Sequence, residues 1–348
     1  MGSRSRARNR SKQKKPPSPD LNLAANEIPE LNRRFFSETG GPHVFLQHRL
    51  RAAFLAASTA PELAQAIEDG VVIGTTRICS EEPFEVDEEE MKEFTALEAI
   101  VLFHHAAETL LRLFFALEEQ PPCPWLVVAG LRAPGEFAKR VTELRNHSKD
   151  EALLDRLASI FYGASAWNRR PLACDEEVWR QGIIGLRRLV ITCAIRVQDE
   201  AALYNSAKHG LSAVTGQAGI AFGDPGKPLF DIKGPSLTYL ETRKTDRWRW
   251  VETTSWIKAD RDFGLVYLIA DQLRNLWGVA RMRYAGADGI QIHPVDLKRL
   301  DRFLNPPVTE EEGYRFEVPS FTQPLMYTDL PEDARGRLDV RATKSKSK

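Results

Sequence analysis

Residues 87–119 read DEEEMKEFTALEAIVLFHHAAETLLRLFFALEE, a run with no glycine and no proline. Its four leading acids, Asp87 to Glu90, suit the positive end of a helix dipole. Apolar residues then recur at helical spacing on nearly every side, the mark of a helix buried all round. Such a helix needs other helices to cover it. The run therefore predicts a mainly α fold: a helical bundle, to which the later sequence adds a small β-hairpin element and a C-terminal helix.

Working outward, QPPCPW at 120–125 stops the helix, because proline removes a donor and fixes φ. Short helices follow over 134–146 and 150–162. Asp175 to His209 reads as a second long helix, or as a pair broken near Gly182 and Gly185. On the other side, 26–70 gives short amphipathic helices punctuated by Gly40-Gly41-Pro42 and by Ser58-Thr59-Ala60-Pro61, with Pro61 suited to a first helical position. After residue 212 the character changes. Residues 216–236 are rich in glycine and proline, and 237–257, LTYLETRKTDRWRWVETTSWI, alternate like a two-stranded hairpin turning near Lys244-Thr245-Asp246. Helix returns over 260–284, with Asp260 or Asp262 available near its start, and a short helix follows Pro294. The expected organisation is a basic disordered arm at 1–25, a bundle at 26–212, a hairpin-plus-helix element at 213–304 packed on it, and a loop-like basic tail at 305–348.

Composition narrows the function classes. The 348 residues hold 48 Lys plus Arg and 48 Asp plus Glu, so the formal net charge is zero and no global field draws in nucleic acid or anionic lipid. The basic residues of the first fifteen positions fit a solubilising arm better than a phosphate-binding one. No uninterrupted apolar run reaches the ~20 residues that span a bilayer, and no apolar stretch follows the basic start as a secretory signal requires. The expectation is a cytoplasmic protein with no membrane partner. Cys79, Cys123, Cys174 and Cys193 are scattered, as reduced and mostly buried thiols would be. Phosphate-cradling glycine loops and the HExxH and GxSxG patterns are missing, which argues against a nucleotide cofactor or common hydrolase chemistry.

Four stretches carry candidate chemistry. In LYNSAKHGLS, 203–212, helical spacing stacks Glu200, Tyr204 and Lys208 on one face and Ala201, Asn205 and His209 on its neighbour. A helix end explains Lys208, His209, a left-handed Gly210 and a covering Leu211 without any function, but leaves Asn205 unexplained. In FHHAAETLLR, Glu108 lies within a turn of His104, His105 and Arg112. A metal site there lacks further ligands, so a buried pair holding helices in register is the expected role. In TELRNHSKD, Arg145 and His147 resemble a phosphate-handling pair, while Asn146, Ser148 and Asp150 serve equally as helix caps. In DRWRWVETTSW, alternation puts Trp248 and Trp250 on one face and Arg247 and Arg249 on the other. Tryptophans packed on helices are favoured over tryptophans that stack bases.

The long helix ALEAIVLFHHAAETLLRLFFAL, the short helices after it and the closing VQDEAALYNSAKHG together resemble the helical core of the HEPN superfamily, over about residues 90–212. Many of its members are ribonucleases. The resemblance implies an RNA-binding or metal-independent RNA-cleaving protein without a cofactor, with His209 transferring protons, Lys208 contacting phosphate, and Tyr204 and Asn205 positioning the substrate. Arg145, Glu108 and His105 are the accompanying binding residues. The active nucleases carry an arginine four to six residues before the histidine; here Tyr204 occupies that distance from His209. The competing expectation is a non-enzymatic interaction module or homodimer in which the same stretch only closes a helix.

Overall fold

The computed structural model describes residues 23–24, 26–37, 40–58, 70–73, 76–78, 87–169, 174–210, 212–224, 227–244, 248–305 and 320–324. In chain order the elements are α1 (Glu27–Ser37), α2 (Pro42–Ser58), a small hairpin of β1 (Val71–Ile73) and β2 (Thr76–Ile78), α3 (Glu88–Glu118), α4 (Pro124–Gly130), α5 (Pro134–Asn146), α6 (Glu151–Tyr162), α7 (Glu176–Asp199) and α8 (Ala201–Ala207). Then come β3 (Ala213–Asp224), β4 (Lys227–Lys244), β5 (Trp248–Trp256), α9 (Ala259–Ala285), α10 (Leu297–Leu304) and β6 (Ser320–Pro324). The protein is mainly α, and the described strands form the two-stranded β1-β2 hairpin and a four-stranded antiparallel sheet of order β3-β4-β5-β6. The basic arm, the residues after 324, Pro61, Leu211 and Cys79 lie outside the described residues.

α3 is the axis. Asp87 caps it by accepting from the Glu89 N–H at 2.8 Å. Its later half, from Leu102 to Leu117, is covered by α2, α4, α6, α7 and α9 in one apolar core that includes Phe36, Phe103, Phe114, Phe161 and Leu273. Its earlier half, at Ala96 and Ile100, lies under the sheet and α8, against Leu203, Ala207, Leu237, Tyr239 and Ile257. Each fully buried Leu or Phe of this kind contributes roughly 1.5–3 kcal/mol relative to exposure. Cover on all sides is what the unstriped apolar sequence required. Residues Glu89–Glu118 are also long and apolar enough to cross a membrane by length and composition, contrary to the sequence expectation, but 72% of the apolar window is buried inside the protein.

Several expectations need correction. α7 is not broken at Gly182 or Gly185. Both are spent on close approach: a Cβ on Gly182 would stand 2.7 Å from the Pro294 Cβ, and one on Gly185 would stand 2.9 Å from Val295 Cγ1. The strap they admit is pinned to α9, where the Asn275 amide donates to the His293 carbonyl at 2.8 Å and accepts its N–H at 2.9 Å. The break falls at Glu200 instead (φ −102, ψ 16), between α7 and α8. Neither Asp260 nor Asp262 caps α9; Lys258 holds that position without a side-chain capping hydrogen bond. The glycine-rich 213–224 segment is a strand, so the expected hairpin β4–β5 belongs to four strands, and β6 lies within the tail expected to be loop-like. Proline 124 starts a short helix, α4, as well as ending α3.

Candidate functional site

The stretch 203–210 straddles the end of α8. Leu203, Ser206 and Ala207 face inward, whereas Asn205, Lys208 and His209 are exposed. Lys208 N–H bonds to the Tyr204 carbonyl at 2.9 Å, and Gly210, at φ 63, returns its N–H to the Ala207 carbonyl at 3.0 Å. Glycine is required there because other residues strain in the left-handed region. His209 lies beyond the last helical residue, so it does not share a helical stripe with Asn205 as its spacing suggested. Asn205 points to water and needs no buried partner. Of the four residues, Tyr204 alone is turned inward: its ring stacks on His104 at 4.8 Å between centroids and 11° between planes, and the Lys208 ammonium stands 5.5 Å from it.

Behind Tyr204 lies a buried ionic chain that ties four helices together. His104 Nε2 meets Glu200 Oε2 at 3.2 Å, and Arg196 Nε donates to the other Glu200 oxygen at 2.8 Å. The Arg196 terminal nitrogens reach both oxygens of Asp262 on α9 at 2.7 and 3.3 Å, and the guanidinium lies 3.7 Å over the Phe103 ring. Arg261 adds a third bond to Asp262 at 3.0 Å. Burial pushes the Glu200 carboxyl up, but the hydrogen bond from His104 and the charge and bond of Arg196 prevail and hold it at about 2. Burial also works against the Arg196 charge, yet Asp262 and Glu200 raise its pKa above the usual range. The chain end after α7 turns at Glu200 because Asp199 faces out to Arg145 while Glu200 faces in to Arg196.

A more open polar cluster sits between α2 and α3. Arg49 from α2 bonds His105 Nδ1 at 3.1 Å and Glu98 at 2.5 Å. Arginine can only donate, so Nδ1 accepts and the imidazole proton sits on Nε2. Burial, then the Arg49 charge, lowers the His105 pKa, against the opposing pull of Glu108 and Glu98. At neutral pH His105 thus offers one N–H donor and no free base. Burial and the Glu108 charge raise the Tyr204 pKa and keep its phenol protonated, with Arg49 and Arg112 acting in the opposite sense. Glu108 pairs with Arg112 at 3.3 Å, and Arg112 also bonds the Leu131 carbonyl and lies 4.0 Å over Phe137. Each arginine in this cluster has a carboxylate partner. The arrangement can bind through hydrogen bonds, and both of its arginines are already engaged by carboxylates.

Of the residues singled out in the sequence, Tyr204, His105 and Glu108 come together around Arg49. Arg145 does not join them: it bonds Gln198 at 2.6 Å and Asp199 at 2.7 Å, locking α5 to the end of α7. His147 bonds Asp150 at 2.8 Å in the exposed α5–α6 turn. Sequence reasoning missed Arg49, Arg196, Asp262 and the inward role of Glu200. One signal was present, since Arg196 and Glu200 sit four apart at the end of an apolar stretch and so share a helix face.

The sheet presents a second surface. Leu237, Tyr239, Val251 and Thr253 face the helices, whereas Val214, Leu240, Trp250 and Phe321 on the opposite side are 71%, 51%, 53% and 47% exposed. Val214, Thr238, Thr254 and Phe321 stand opposite one another across the four strands. The expected packing of Trp250 onto helices is thus reversed; Val251 takes that place. The side chain of Trp248 lies outside the description. Comparison of the chain with family models, with curated proteins and with solved structures finds no match.

Proposed function

We propose that this chain is a non-catalytic, mainly α interaction protein that pairs with a second copy of itself through the outer face of its sheet. The observation that carries this reading is the convergence of Val214, Leu240, Trp250 and Phe321 on one solvent-facing surface. Val214, Leu240 and Trp250 run diagonally across neighbouring strands, and Thr238 and Thr254 stand between Val214 and Phe321; monomers rarely leave several large apolar side chains uncovered on one face. With strands ~4.8 Å apart and residues ~3.3 Å apart, a face of four strands by about five residues covers on the order of 300 Å². Two such faces together reach roughly 600 Å², below the ~1,000 Å² of a standard specific interface and in the range of a weak, transient pairing. Zero net charge leaves no long-range repulsion between copies.

Charge favours a second copy over RNA as the occupant. Among residues with described side chains, strand alternation places one cation, Lys244, and one anion, Glu252, on this face, four residues apart along the strands, which gives little net attraction for phosphates. The exposure of Asn205, Lys208 and His209 at a helix end likewise supports a capping role over catalysis. In this reading the buried ionic chain keeps α3, α7, α8 and α9 in register under the sheet. The setting expected is the cytoplasm.

Oxidative footprinting of Trp250 and Phe321 in dilute and concentrated protein, with and without single-stranded RNA, tests the proposal. The expected result is protection of both residues that grows with protein concentration and ignores RNA. Oxidation that does not change with concentration overturns it. Protection that appears on adding RNA to dilute protein assigns the face to nucleic acid instead.

A further inference from the structure

The later half of α3 borders a cavity of about 410 Å³ that it shares with α1, the start of α2, α4 and α9. Protein interiors keep few voids larger than a water molecule, so a space of this size beside the main core calls for an occupant. An apolar cavity of ~150 Å³ holds a benzene, and small-molecule sites run from ~300 to ~1,000 Å³. The space here therefore suits a molecule with the bulk of two fused rings.

Its walls are held apart by partners outside it. Phe35 stacks on Trp125 at 5.3 Å with planes at 9°, and Trp277 leans on Phe36 at 4.9 Å. Gly41, at φ +76, passes so close to Trp277 that a Cβ on it would stand 2.9 Å from the indole nitrogen. Closing the space would cost these contacts. A site that is formed in advance spares its ligand the cost of ordering it.

The lining is apolar and electrically balanced. Phe35, Leu113, Val128 and Trp277 present hydrocarbon or aromatic surface. The Thr109 hydroxyl is spent as a donor on the His105 carbonyl at 2.7 Å. Arg112, the one cation among the described lining residues, pairs with Glu108 at 3.3 Å, bonds the Leu131 carbonyl and lies 4.0 Å over the Phe137 ring. A ligand carboxylate or ammonium would give up its hydration here without meeting an uncompensated opposite charge.

We infer that this cavity binds an uncharged, predominantly apolar small molecule with the bulk of two fused rings, and that it discriminates against charged molecules of the same shape. The sheet covers α3 earlier, at Ala96 and Ile100, so this binding is independent of whether the sheet face pairs.

The test is equilibrium dialysis of the full chain against naphthalene and against 2-naphthoate, which adds a carboxylate to the same rings. Naphthalene should bind saturably, one molecule per chain, and about tenfold or more tighter than 2-naphthoate. Val128→Phe and Leu113→Phe each place a ring in the space and should weaken naphthalene by about tenfold. The ligand-free melting temperature of each variant confirms that it is folded. Trp250→Glu, on the sheet face, should bind naphthalene as wild type does. No saturable binding, equal affinity for the two probes, or a folded Val128→Phe or Leu113→Phe that binds naphthalene as wild type does would overturn the inference. Loss of naphthalene in Trp250→Glu would overturn it as well, by placing the molecule on the sheet.

Discussion

Replacing Asp262 by asparagine tests the ionic chain that joins α7 to α9. Asp262 is 1% exposed and receives three charge-assisted bonds, from Arg196 at 2.7 and 3.3 Å and from Arg261 at 3.0 Å. Asparagine keeps the volume but removes the charge and turns one acceptor into a donor facing a guanidinium. Breaking a buried ion pair from one side costs about 3–5 kcal/mol, because the remaining charge stays buried. Arg196 keeps Glu200 at 2.8 Å and the face of Phe103, so the loss should fall at the lower end, about 3 kcal/mol. Urea unfolding followed by circular dichroism reads this as a lower midpoint at unchanged slope. The paired replacement Arg196→Met with Asp262→Leu removes both charges and should cost less than Asp262→Asn alone. A loss below about 1 kcal/mol for Asp262→Asn, or a double variant worse than the single one, would refute the reasoning.

Two further outcomes follow from the same geometry. The Glu200 carboxyl is held at about 2 against an ordinary 4.5, so it stabilises the folded state above pH 4.5 and loses that contribution as pH falls toward 2. The stability gap between wild type and Glu200→Gln, on the order of 3 kcal/mol at neutral pH by linkage, should therefore close over that acidic window; a gap that stays constant with pH contradicts the assignment. At the end of α8, Gly210→Ala should destabilise by about 1–2 kcal/mol through left-handed strain alone, since a Cβ there meets nothing within 4 Å. His209→Ala, exposed and beyond the helix, should change stability by no more than ~0.5 kcal/mol. Thermal melts of the two variants check the contrast, which a catalytic histidine held by partners would not give.

The parts of the fold that were legible in the sequence are those in which local signals agree. α3 was readable because its acidic start, its freedom from glycine and proline and its unbroken apolar pattern point the same way, and α5, α6 and α9 were readable within a residue or two for similar reasons. β3 was obscured because Gly216, Gly219 and Gly223 signal turns in isolation, while pairing with β4 overrides that preference. Alternation separated Trp250 from Val251 correctly but carries no information about which face meets the helices. Asp262 looked like a cap because a position near a helix start suits one; its partner Arg196 is distant in sequence, and no local pattern reveals it. The candidate site divides in the same way. His105, Glu108 and Tyr204 were visible as polar residues in apolar helices, whereas Arg49, which organises them, stands in a separate helix with nothing in its own neighbourhood to mark it. Asn205 and His209 were drawn into the set by spacing that assumed the helix continued past Ala207.

The most direct test of the account is sedimentation equilibrium on the wild-type chain beside Trp250→Glu. A pairing sheet face predicts a wild-type mass rising toward twice 39.3 kDa with concentration, and a variant that stays folded at 39.3 kDa. A wild type that remains at 39.3 kDa throughout, or a folded Trp250→Glu variant that self-associates as strongly as wild type, would contradict it.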